Sequence, residues 1–392
     1  MYKILFVIPG LKTGGTNSSL SALYSNIKKQ YDITVFTLSN QRNAEYNFDE
    51  VVRYSPFIIS AFHVNAIEEK WYKCLAVLVL KTIRTIIRRL LGYDILDYLY
   101  KRMTHIIEKK YTYDFVVAFE ESYPTKFVLY FKNANKIAWI HCNYNKYCPL
   151  GVSEEDIYSQ YKNIICVSEY TSRLFVSRYP RLNAKVSSIY NLIDTESILV
   201  KSRKPIDDDR FEIGKRSVII SAGRIDPVKR FSSIPKIAKE LIDRGLCFQW
   251  YILGPIAVRD EYNRLEANIE KYSVDNYVHY LGNKINPYSY FVNSDLYVCT
   301  SESEACPMVF NEAMILNTPV VTTNFGSASE FIHNNKNGFV WGIKVPVGVK
   351  HAYEKVLFDN AYPEFRAWVT SNGADNKDWY LHPAAEKVVE AW

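Results

Sequence analysis

The sequence predicts an α/β fold with two parallel-sheet domains in tandem. Apolar strand-like runs alternate with helix-period segments in the first half of the chain, the alternation stops at a charged stretch, and it then restarts. A length of 392 residues is enough for two or three domains, each with its own core. Hydrophobic residues make up 48% and charged residues 23% of the chain, which excludes a disordered or fibrous protein.

The first half begins with a strand, a helix and a second strand. KILFVI at residues 3–8 predicts a strand, apolar side chains at helical spacing follow over residues 20–27, and ITVFTL at 33–38 predicts the next strand. Further strands are expected for FVVAF at 115–119, KIAWI at 136–140 and IICVS at 164–168. This βαβ order indicates a parallel sheet covered by helices.

The alternation breaks at KSRKPIDDDRFEIGK, residues 201–215, which contains Pro205 and Gly214 and predicts a linker. Strands are expected again at 217–223, 248–254, 277–282, 295–300 and 319–323, with a helix over 231–244 that ends at Gly245. We therefore expect an N-terminal domain over 1–200, a linker over 201–215, a C-terminal domain over 216–375, and a segment over 376–392 that packs back toward the first domain.

We expect neither a leader nor a membrane span. MYKILFVIP at the start runs into a glycine-rich loop, as a first strand does, and not into a small-residue cleavage site. The longest apolar run, CLAVLVL at 74–80, ends at Lys81. Seven cysteines, an odd number without C-x-x-C spacing, favour reduced thiols and a cytoplasmic location.

The formal net charge of +6 is concentrated in one region. Residues 70–110 hold ten basic side chains against three acidic ones. A basic patch this localised argues against a nucleic-acid-binding protein, because such a protein spreads its positive charge along a groove. The patch centres on one predicted helix with Lys81, Arg84, Arg88 and Arg89, and with an apolar stripe at Ile83, Ile86, Ile87, Leu90 and Leu91. Two interpretations stay open: contact with an anionic membrane surface, or a core-packed helix with a solvated face.

The loop after the first strand is PGLKTGGT, with Gly10, Gly14 and Gly15 ahead of a predicted helix. Glycines allow close approach to the backbone, and a helix start favours an anion. The spacing differs from the G-x-G-x-x-G of a dinucleotide site. A phosphate-binding loop and an ordinary strand-to-helix turn both fit.

The motif AGRIDPVKRF, residues 222–231, follows the first strand of the second domain. Gly223, Arg224 and Lys229 lie in this loop, and Asp226 with the following proline favours a tight turn. An arginine binds phosphate oxygens bidentately and a lysine adds a point charge, which together suit a departing diphosphate. The alternative is a solvated basic loop.

The motif SESEACPMVFNEAMILNTPVV, residues 301–321, carries two glutamates eight positions apart. A helix can begin at Pro307, so Glu304 precedes this helix and Glu312 lies within it. Each carboxylate can accept hydrogen bonds from a pair of sugar hydroxyls, whereas the alternative for Glu312 is a helix-surface carboxylate. Asn317 is expected in the left-handed conformation that ends a helix.

These motifs resemble family 4 of the GT-B type glycosyltransferases, a group of retaining, nucleotide-sugar-dependent enzymes. The resemblance rests on Gly14-Gly15, on KIAWIHCNY around His141, on IICVSEYTSRLF, IYNLID and GRIDPVKRF, and on the E-x7-E element, all in the family's order. It implies two Rossmann-like domains that face each other across a cleft, with the ligand at the carboxyl ends of the strands.

The resemblance also implies roles for individual residues. Arg224 and Lys229 hold the donor diphosphate, Glu304 contacts the donor sugar, Glu312 holds the ribose diol, and His141 lies at the sugar end. The implied catalytic set is Arg224, Lys229, Glu304 and His141. The implied donor-binding set is Gly14, Gly15, Gly223, Arg224, Lys229, Glu304, Ala305, Cys306, Pro307, Met308, Val309 and Glu312.

The expected activity is transfer of a hexose from a nucleoside-diphosphate sugar, UDP favoured and GDP next, to a hydroxyl acceptor. The family implies a lipid-linked glycan of surface-polysaccharide synthesis as acceptor, with the enzyme in the cytoplasm or peripheral on the inner face of the membrane. No cofactor and no metal are expected, and Asp207-Asp208-Asp209 is expected to be a solvated acidic stretch. Two alternatives stay open: a non-catalytic nucleotide-sugar-binding partner, and a sugar-nucleotide epimerase of the same fold.

Overall fold

A computed structural model describes most of the chain. It covers residues 1–11, 14–40, 48, 52–63, 71–144, 154–214, 216–334 and 337–341. The expected C-terminal segment over 376–392 and the end of the second predicted domain lie outside the described residues. The chain divides into two compact units between Leu192 and Ile193.

The first unit holds a seven-stranded sheet in the order β3-β2-β1-β4-β5-β6-β7, and all of its paired strands run parallel. Its strands are β1 (Lys3–Ile8), β2 (Asp32–Thr37), β3 (Val52–Tyr54), β4 (Phe115–Ala118), β5 (Asn135–Ile140), β6 (Asn163–Cys166) and β7 (Val186–Ser188). Its helices are α1 (Gly15–Ile27), α2 (Phe57–Ser60), α3 (Trp71–Leu91), α4 (Ile95–Lys110), α5 (Tyr123–Val128), α6 (Glu154–Ser159) and α7 (Glu169–Arg178), followed by a 3-10 helix over Pro180–Lys185.

The predicted strands of this unit are confirmed within one or two residues. Their side chains are buried along nearly the whole run, as expected for a parallel sheet covered on both faces. The sequence analysis misses β3 and β7, which have three residues each and form the two edges of the sheet. Segments so short carry no periodic signal.

The second unit holds a six-stranded parallel sheet in the order β10-β9-β8-β11-β12-β13. Its strands are β8 (Ser217–Ala222), β9 (Phe248–Leu253), β10 (Val278–Gly282), β11 (Leu296–Cys299), β12 (Val320–Thr323) and β13 (Gly338–Trp341). Its helices are α8 (Thr195–Ser202), α9 (Ile234–Ile242), α10 (Arg259–Tyr272), α11 (Tyr288–Val292), α12 (Met308–Ile315) and α13 (Ala328–Phe331), with a 3-10 helix over Phe231–Ser233. The predicted α/β fold class is confirmed.

The boundary between the units differs from the predicted one. Helix α8 falls within the expected first domain and yet packs on α11 and α12 of the second unit. The stretch after it is no free linker, because Phe211 is buried against the rings of Tyr251 and Tyr290. An aromatic anchor in a charged stretch is easily overlooked, since polarity dominates the composition.

Candidate functional site

The two sheets each reverse their strand order at one point, which is where ligands bind in open α/β sheets. In the second unit the reversal lies between β8 and β11, which are hydrogen-bonded neighbours. The loop after β8 carries the predicted Gly223, Arg224 and Lys229, and the loop after β11 carries Glu304. Two motifs 75 residues apart in sequence therefore meet at one end of this sheet.

Lys229 connects the loop after β8 with the loop after β11. Its Nζ lies 2.6 Å from Oε1 of Glu304, and its main-chain carbonyl accepts a hydrogen bond of 2.7 Å from the Thr300 hydroxyl. Its main-chain N–H donates to Oδ1 of Asp226 at 3.0 Å, which is the turn that the sequence predicts. Burial alone would lower the pKa of Lys229, but the negative charge of Glu304 raises it above the ordinary value. The side chain is therefore cationic at neutral pH.

Glu304 is fixed by more than this ion pair. Its Oε1 also accepts a hydrogen bond of 2.7 Å from the Ser301 hydroxyl, and its carbonyl accepts one of 2.8 Å from Ser327 in the loop after β12. The sequence analysis did not single out Ser301 or Thr300 as supports. Their position directly after a predicted strand was the available signal, since hydroxyls at strand ends often hold loops.

Arg224 differs from Lys229 because its side chain is 65% exposed, with the guanidinium 3.7 Å from the carboxylate of Asp226. The backbone beside it is closely packed. A Cβ on Gly223, whose φ is 153°, would lie 3.2 Å from Cε of Lys229, and one on Gly254 would lie 1.9 Å from the carbonyl oxygen of Gly223. Glycine is therefore required at residue 254, where two strand ends touch.

Glu312 lies in α12, half-buried, and its Oε1 accepts a hydrogen bond of 3.3 Å from the hydroxyl of Tyr288. Burial raises its pKa to about 7, although Tyr288 and the charges of Lys229 and Lys201 act in the opposite direction. The ammonium of Lys201 lies 5.9 Å from the centre of the Tyr288 ring. A solvated helix-surface carboxylate, the alternative for Glu312, is thereby excluded.

The remaining residues of the predicted donor-binding set surround the start of α12. Pro307 is the N-cap residue, so the helix begins where the sequence predicts. Ala305, Cys306, Met308 and Val309 are half-buried. Asn317 has a φ of 56°, which confirms the left-handed helix end expected there.

In the first unit, the sheet reverses between β1 and β4. After β1, the side chain of Asn17 donates to the carbonyl of Gly10 at 3.0 Å, and Gly14 is the N-cap of α1 without a side-chain cap. Gly15 is the first residue of that helix. Residues 12 and 13 of the glycine loop lie outside the described residues.

His141 follows β5, the strand next to β4. Its ring packs 4.7 Å from that of Phe119 and nearly parallel to that of Trp139 at 6.4 Å. Burial lowers its pKa to about 3, so the imidazole is neutral at physiological pH. Its Nε2 is buried and has no hydrogen-bond partner among the described residues.

Glu121 is a candidate functional residue that the sequence analysis missed. It follows β4, is 6% exposed, and its Oε1 accepts hydrogen bonds from the main-chain N–H groups of His141 and, at 2.7 Å, Cys142. The available signal was an acidic pair directly after the apolar run FVVAF. No motif distinguishes such a pair from a solvated turn.

The basic side chains of the predicted patch differ in burial and pairing. Arg84 forms a bidentate ion pair with Asp94, the N-cap of α4, at 2.8 and 2.6 Å, and both side chains are largely buried. Arg84, which the sequence places in the basic patch, is therefore not part of an exposed basic surface, because its charge is paired with Asp94 at the corner between α3 and α4. Arg88 and Arg89 are exposed. Residue 70 and the side chain of residue 73, which belong to the patch, are not described.

In the acidic run after α8, Asp207 and Asp209 are exposed, as the sequence predicts, whereas Asp208 is half-buried and ion-paired. Asp208 pairs with Arg210 at 2.6 Å and with Lys284 at 2.7 Å, and these partners lower its pKa well below the usual range. Asp207 accepts a hydrogen bond of 3.0 Å from Tyr290. The run holds the chain onto the second unit. Within the described ranges, no cluster of His, Cys, Asp or Glu side chains is suited to a metal ion, and no helix has the length and apolar character of a bilayer span.

Comparisons with known proteins agree with this architecture. Residues 203–373, a range that includes the loops after β8 and β11, match the family model described as glycosyl transferases group 1. The chain is 26% identical over 208 residues to the uncharacterized glycosyltransferase MJ1059 of Methanocaldococcus jannaschii, covering 53% of this chain and 50% of that protein. It is 25% identical over 222 residues to the poly(ribitol-phosphate) alpha-N-acetylglucosaminyltransferase of Staphylococcus aureus, covering 56% and 43%. The chain thus spans about half the length of the curated relatives it matches.

The fold resembles a solved structure over its whole length. Anabaena HepE, crystallised with UDP and glucose, has a TM-score of 0.73 and 15% identity, with 100% of this chain and 99% of that chain covered. Two parallel-sheet units of this kind define the GT-B type of fold, which confirms the predicted class. In sequence over residues 203–373 and in fold, the chain is thus similar to the group 1 glycosyl transferases.

Proposed function

We propose that the protein is a retaining glycosyltransferase of family 4, which moves a hexose from a nucleoside-diphosphate sugar to a hydroxyl acceptor. The observation that carries the proposal is the ion pair between Lys229 and Glu304, whose charged atoms lie 2.6 Å apart at the point where β8 and β11 are neighbours. Hydrogen bonds from Thr300 to Lys229 and from Ser301 to Glu304 hold this pair in place. A cation and a carboxylate held together there suit the two ends of such a donor, its diphosphate and its sugar.

The chemistry assigned to these residues is charge stabilisation. The bond between the anomeric carbon and the β-phosphate oxygen breaks, and its electron pair leaves with the diphosphate. The acceptor oxygen bonds to the same face of that carbon, and its proton passes to the departing phosphate. Lys229 has three N–H donors and gives one to Glu304, so the others remain for phosphate oxygens. Exposed Arg224 supplies the second positive charge.

Glu304 and Glu312 contact hydroxyls in this proposal. Oε1 of Glu304 accepts hydrogen bonds from Lys229 and Ser301, which fix the carboxylate that contacts the sugar in this proposal. Glu312 holds the ribose diol. No metal is required, because Arg224 and Lys229 neutralise the phosphate charge that grows in the transition state.

UDP is the favoured nucleotide, with GDP as the alternative. HepE, whose fold the chain shares, binds UDP in its crystal structure, which supports this choice. We further propose a glycan acceptor in polysaccharide synthesis, and the poly(ribitol-phosphate) in the name of the Staphylococcus relative supports a polymeric acceptor.

Thermal unfolding with UDP, GDP, ADP and NAD tests the donor assignment. A ligand at 100 times its dissociation constant adds about 2.7 kcal/mol to the free energy of unfolding. We expect one nucleoside diphosphate, UDP first, to raise the unfolding temperature, and Lys229→Ala to remove that increase. Lys236→Ala, a change at an exposed lysine of α9, is the matched control. A chain that no nucleotide stabilises would contradict the donor site.

We also propose that the protein works in the cytoplasm on a lipid-linked acceptor and docks on an anionic bilayer through α3. This helix has 21 residues, none acidic, and presents a continuous apolar face to solvent. Leu75, Val79, Ile83, Ile86 and Leu90 recur at spacings of three and four residues and are all exposed, Leu90 by 76%.

An anionic bilayer fits this face better than a second copy of the chain. Arg88 and Arg89 lie next to the apolar stripe, and in a dimer their charges would meet the same charges with no acid on the helix to pair them. Acidic lipid headgroups supply the missing negative charge, at about 1 kcal/mol for each basic side chain near the surface.

Vesicle flotation tests the docking surface. The wild-type protein is expected to bind vesicles that contain phosphatidylglycerol, and to bind pure phosphatidylcholine vesicles much less. Neutralising both Arg88 and Arg89 with glutamine removes about 2 kcal/mol of attraction, a roughly 30-fold weaker affinity. Ile86→Ser with Leu90→Ser should also release the protein, whereas Lys236→Gln should not. Equal binding to both vesicle types would overturn the proposed membrane-docking surface. If the wild-type protein were a dimer and the two serine substitutions dissociated it, the apolar face of α3 would instead be assigned to a contact with a second copy of the chain.

A further inference from the structure

The loops after β4 and β5 form one polar unit around Glu121. The carboxylate is 6% exposed and accepts two main-chain N–H groups from the neighbouring strand end, those of His141 and Cys142. Strands β4 and β5 are paired in parallel up to Ala118 and Ala138, so both loops leave the same edge of the sheet. Burial raises the pKa of the Glu121 carboxyl, whereas these N–H groups favour its charged form, so two donors to one carboxylate oxygen form a clamp.

The backbone of the first loop is strained beside this clamp. Ser122 has a φ of 71° and a ψ of −111°, a conformation that is costly for any residue with a Cβ. The hydroxyl of Thr125 binds the carbonyl of Glu120 at 3.2 Å and closes the turn. Strain of this kind persists only where the surroundings force it, and it is concentrated at functional sites.

Two polar nitrogens at the end of β5 have no hydrogen-bond partner within the described part of the chain. Nε2 of His141 and Nε1 of Trp139 are both buried without a hydrogen bond to any described residue, and the two rings lie nearly parallel, 18° apart. A buried polar atom normally has a partner, so an unpartnered pair indicates a place for a ligand's polar groups. The imidazole is neutral there, which suits a hydroxyl group rather than a phosphate.

We propose that Glu121 is a positioning residue for sugar transfer: it holds the main chain of His141 and Cys142 so that Nε2 of His141 meets a carbohydrate hydroxyl. The inference rests on the proposed function and deepens it, because the family resemblance implies His141 at the sugar end and the structure names the group that orients it, Glu121. Glu121 itself touches no substrate in this arrangement.

A double-mutant cycle with His141 tests the idea. Glu121→Ala and His141→Ala are each expected to lower kcat for transfer about 100-fold, while affinity for UDP changes by less than about twofold. Because Glu121 acts through His141, the double variant is expected to be no slower than His141→Ala alone. Glu121→Gln keeps an oxygen that accepts the N–H groups and should retain activity within about tenfold. Glu155→Gln on α6 is the control.

A second measurement does not depend on turnover. Amide hydrogen exchange at His141 and Cys142 is expected to accelerate at least about tenfold in Glu121→Ala, with strand β1 unchanged. Additive effects in the cycle, or unchanged exchange at both amides, would overturn the positioning role. A wild-type chain that transfers no sugar from any donor would refute the proposed function instead, and the exchange result would still decide whether Glu121 clamps this main chain.

Discussion

Lys229→Met is expected to reduce sugar transfer by at least about a hundredfold, because a single group that stabilises transition-state charge contributes roughly 3 to 4 kcal/mol. Methionine preserves most of the side-chain volume between the loops after β8 and β11, so the change removes charge rather than packing. The measurement is steady-state transfer with the nucleotide sugar chosen by thermal unfolding.

The same variant is also expected to be less stable, for a separate reason. Glu304 is largely buried, and without Lys229 its carboxylate loses its ion-pair partner, while the Ser301 hydroxyl still donates to Oε1. Leaving one member of a buried ion pair without its partner is destabilising.

Pairing Lys229→Met with Glu304→Gln separates the two effects. The double variant should recover part of the lost unfolding temperature and none of the lost activity. Lys236→Ala should change neither quantity. Transfer by Lys229→Met within about threefold of wild type would show that this ammonium does not act on the reacting phosphate.

Glu312→Gln is expected to make the free protein more stable at mildly alkaline pH and to weaken its binding of nucleotide. Burial raises the pKa of the Glu312 carboxyl from 4.5 to about 7. As pH rises through this window, the unfolded chain loses the proton first, so the free energy of unfolding falls, by up to about 3 kcal/mol once the pH exceeds 7. A glutamine side chain does not titrate, so Glu312→Gln removes this fall in the free energy of unfolding.

Nucleotide binding should show the opposite dependence on pH. Only the deprotonated carboxylate can accept both ribose hydroxyls, so wild-type affinity for UDP should rise as the pH passes through about 7. In Glu312→Gln the affinity should be weaker at alkaline pH by at least about tenfold and should not vary across this range.

Calorimetric titration and thermal unfolding from about pH 5 to about pH 8 measure both effects, with Glu270→Gln on the exposed face of α10 as the control. If Glu312→Gln bound UDP as tightly as wild type at every pH, the ribose contact would be wrong. If it were no more stable at alkaline pH, the raised pKa would be wrong.

The sequence carried a large part of the fold because parallel strands and their helices leave local signals. The strands that form the middle of each sheet were predicted from their apolar runs, and Asn317 and Gly245 were predicted as helix ends from residue type. The edge strands β3, β7 and β13 have only three or four residues, too few for a periodic pattern.

The residues of the candidate site were also predictable in kind, since glycines, cations and carboxylates follow strands in a known order. The ion pair between Lys229 and Glu304 was not predictable. These two residues are 75 positions apart in sequence and meet because β8 pairs with β11, and nothing local to either motif specifies that pairing. The same holds for the resemblance to group 1 glycosyltransferases, which indicated a family and not a geometry.

Sequence alone thus determined the fold class and the residue types at the ends of the strands, because these properties depend on short-range patterns. The tertiary structure decided which charged side chains form ion pairs and with which partners. Arg84 lies in a basic patch by sequence but forms an ion pair inside a helix corner, and Asp208 lies in an acidic run but anchors a chain segment. Glu121, with no motif around it, becomes the clamp of His141 only because β4 and β5 are neighbours. Burial and pairing of charge are long-range properties, and only the folded chain brings those partners together.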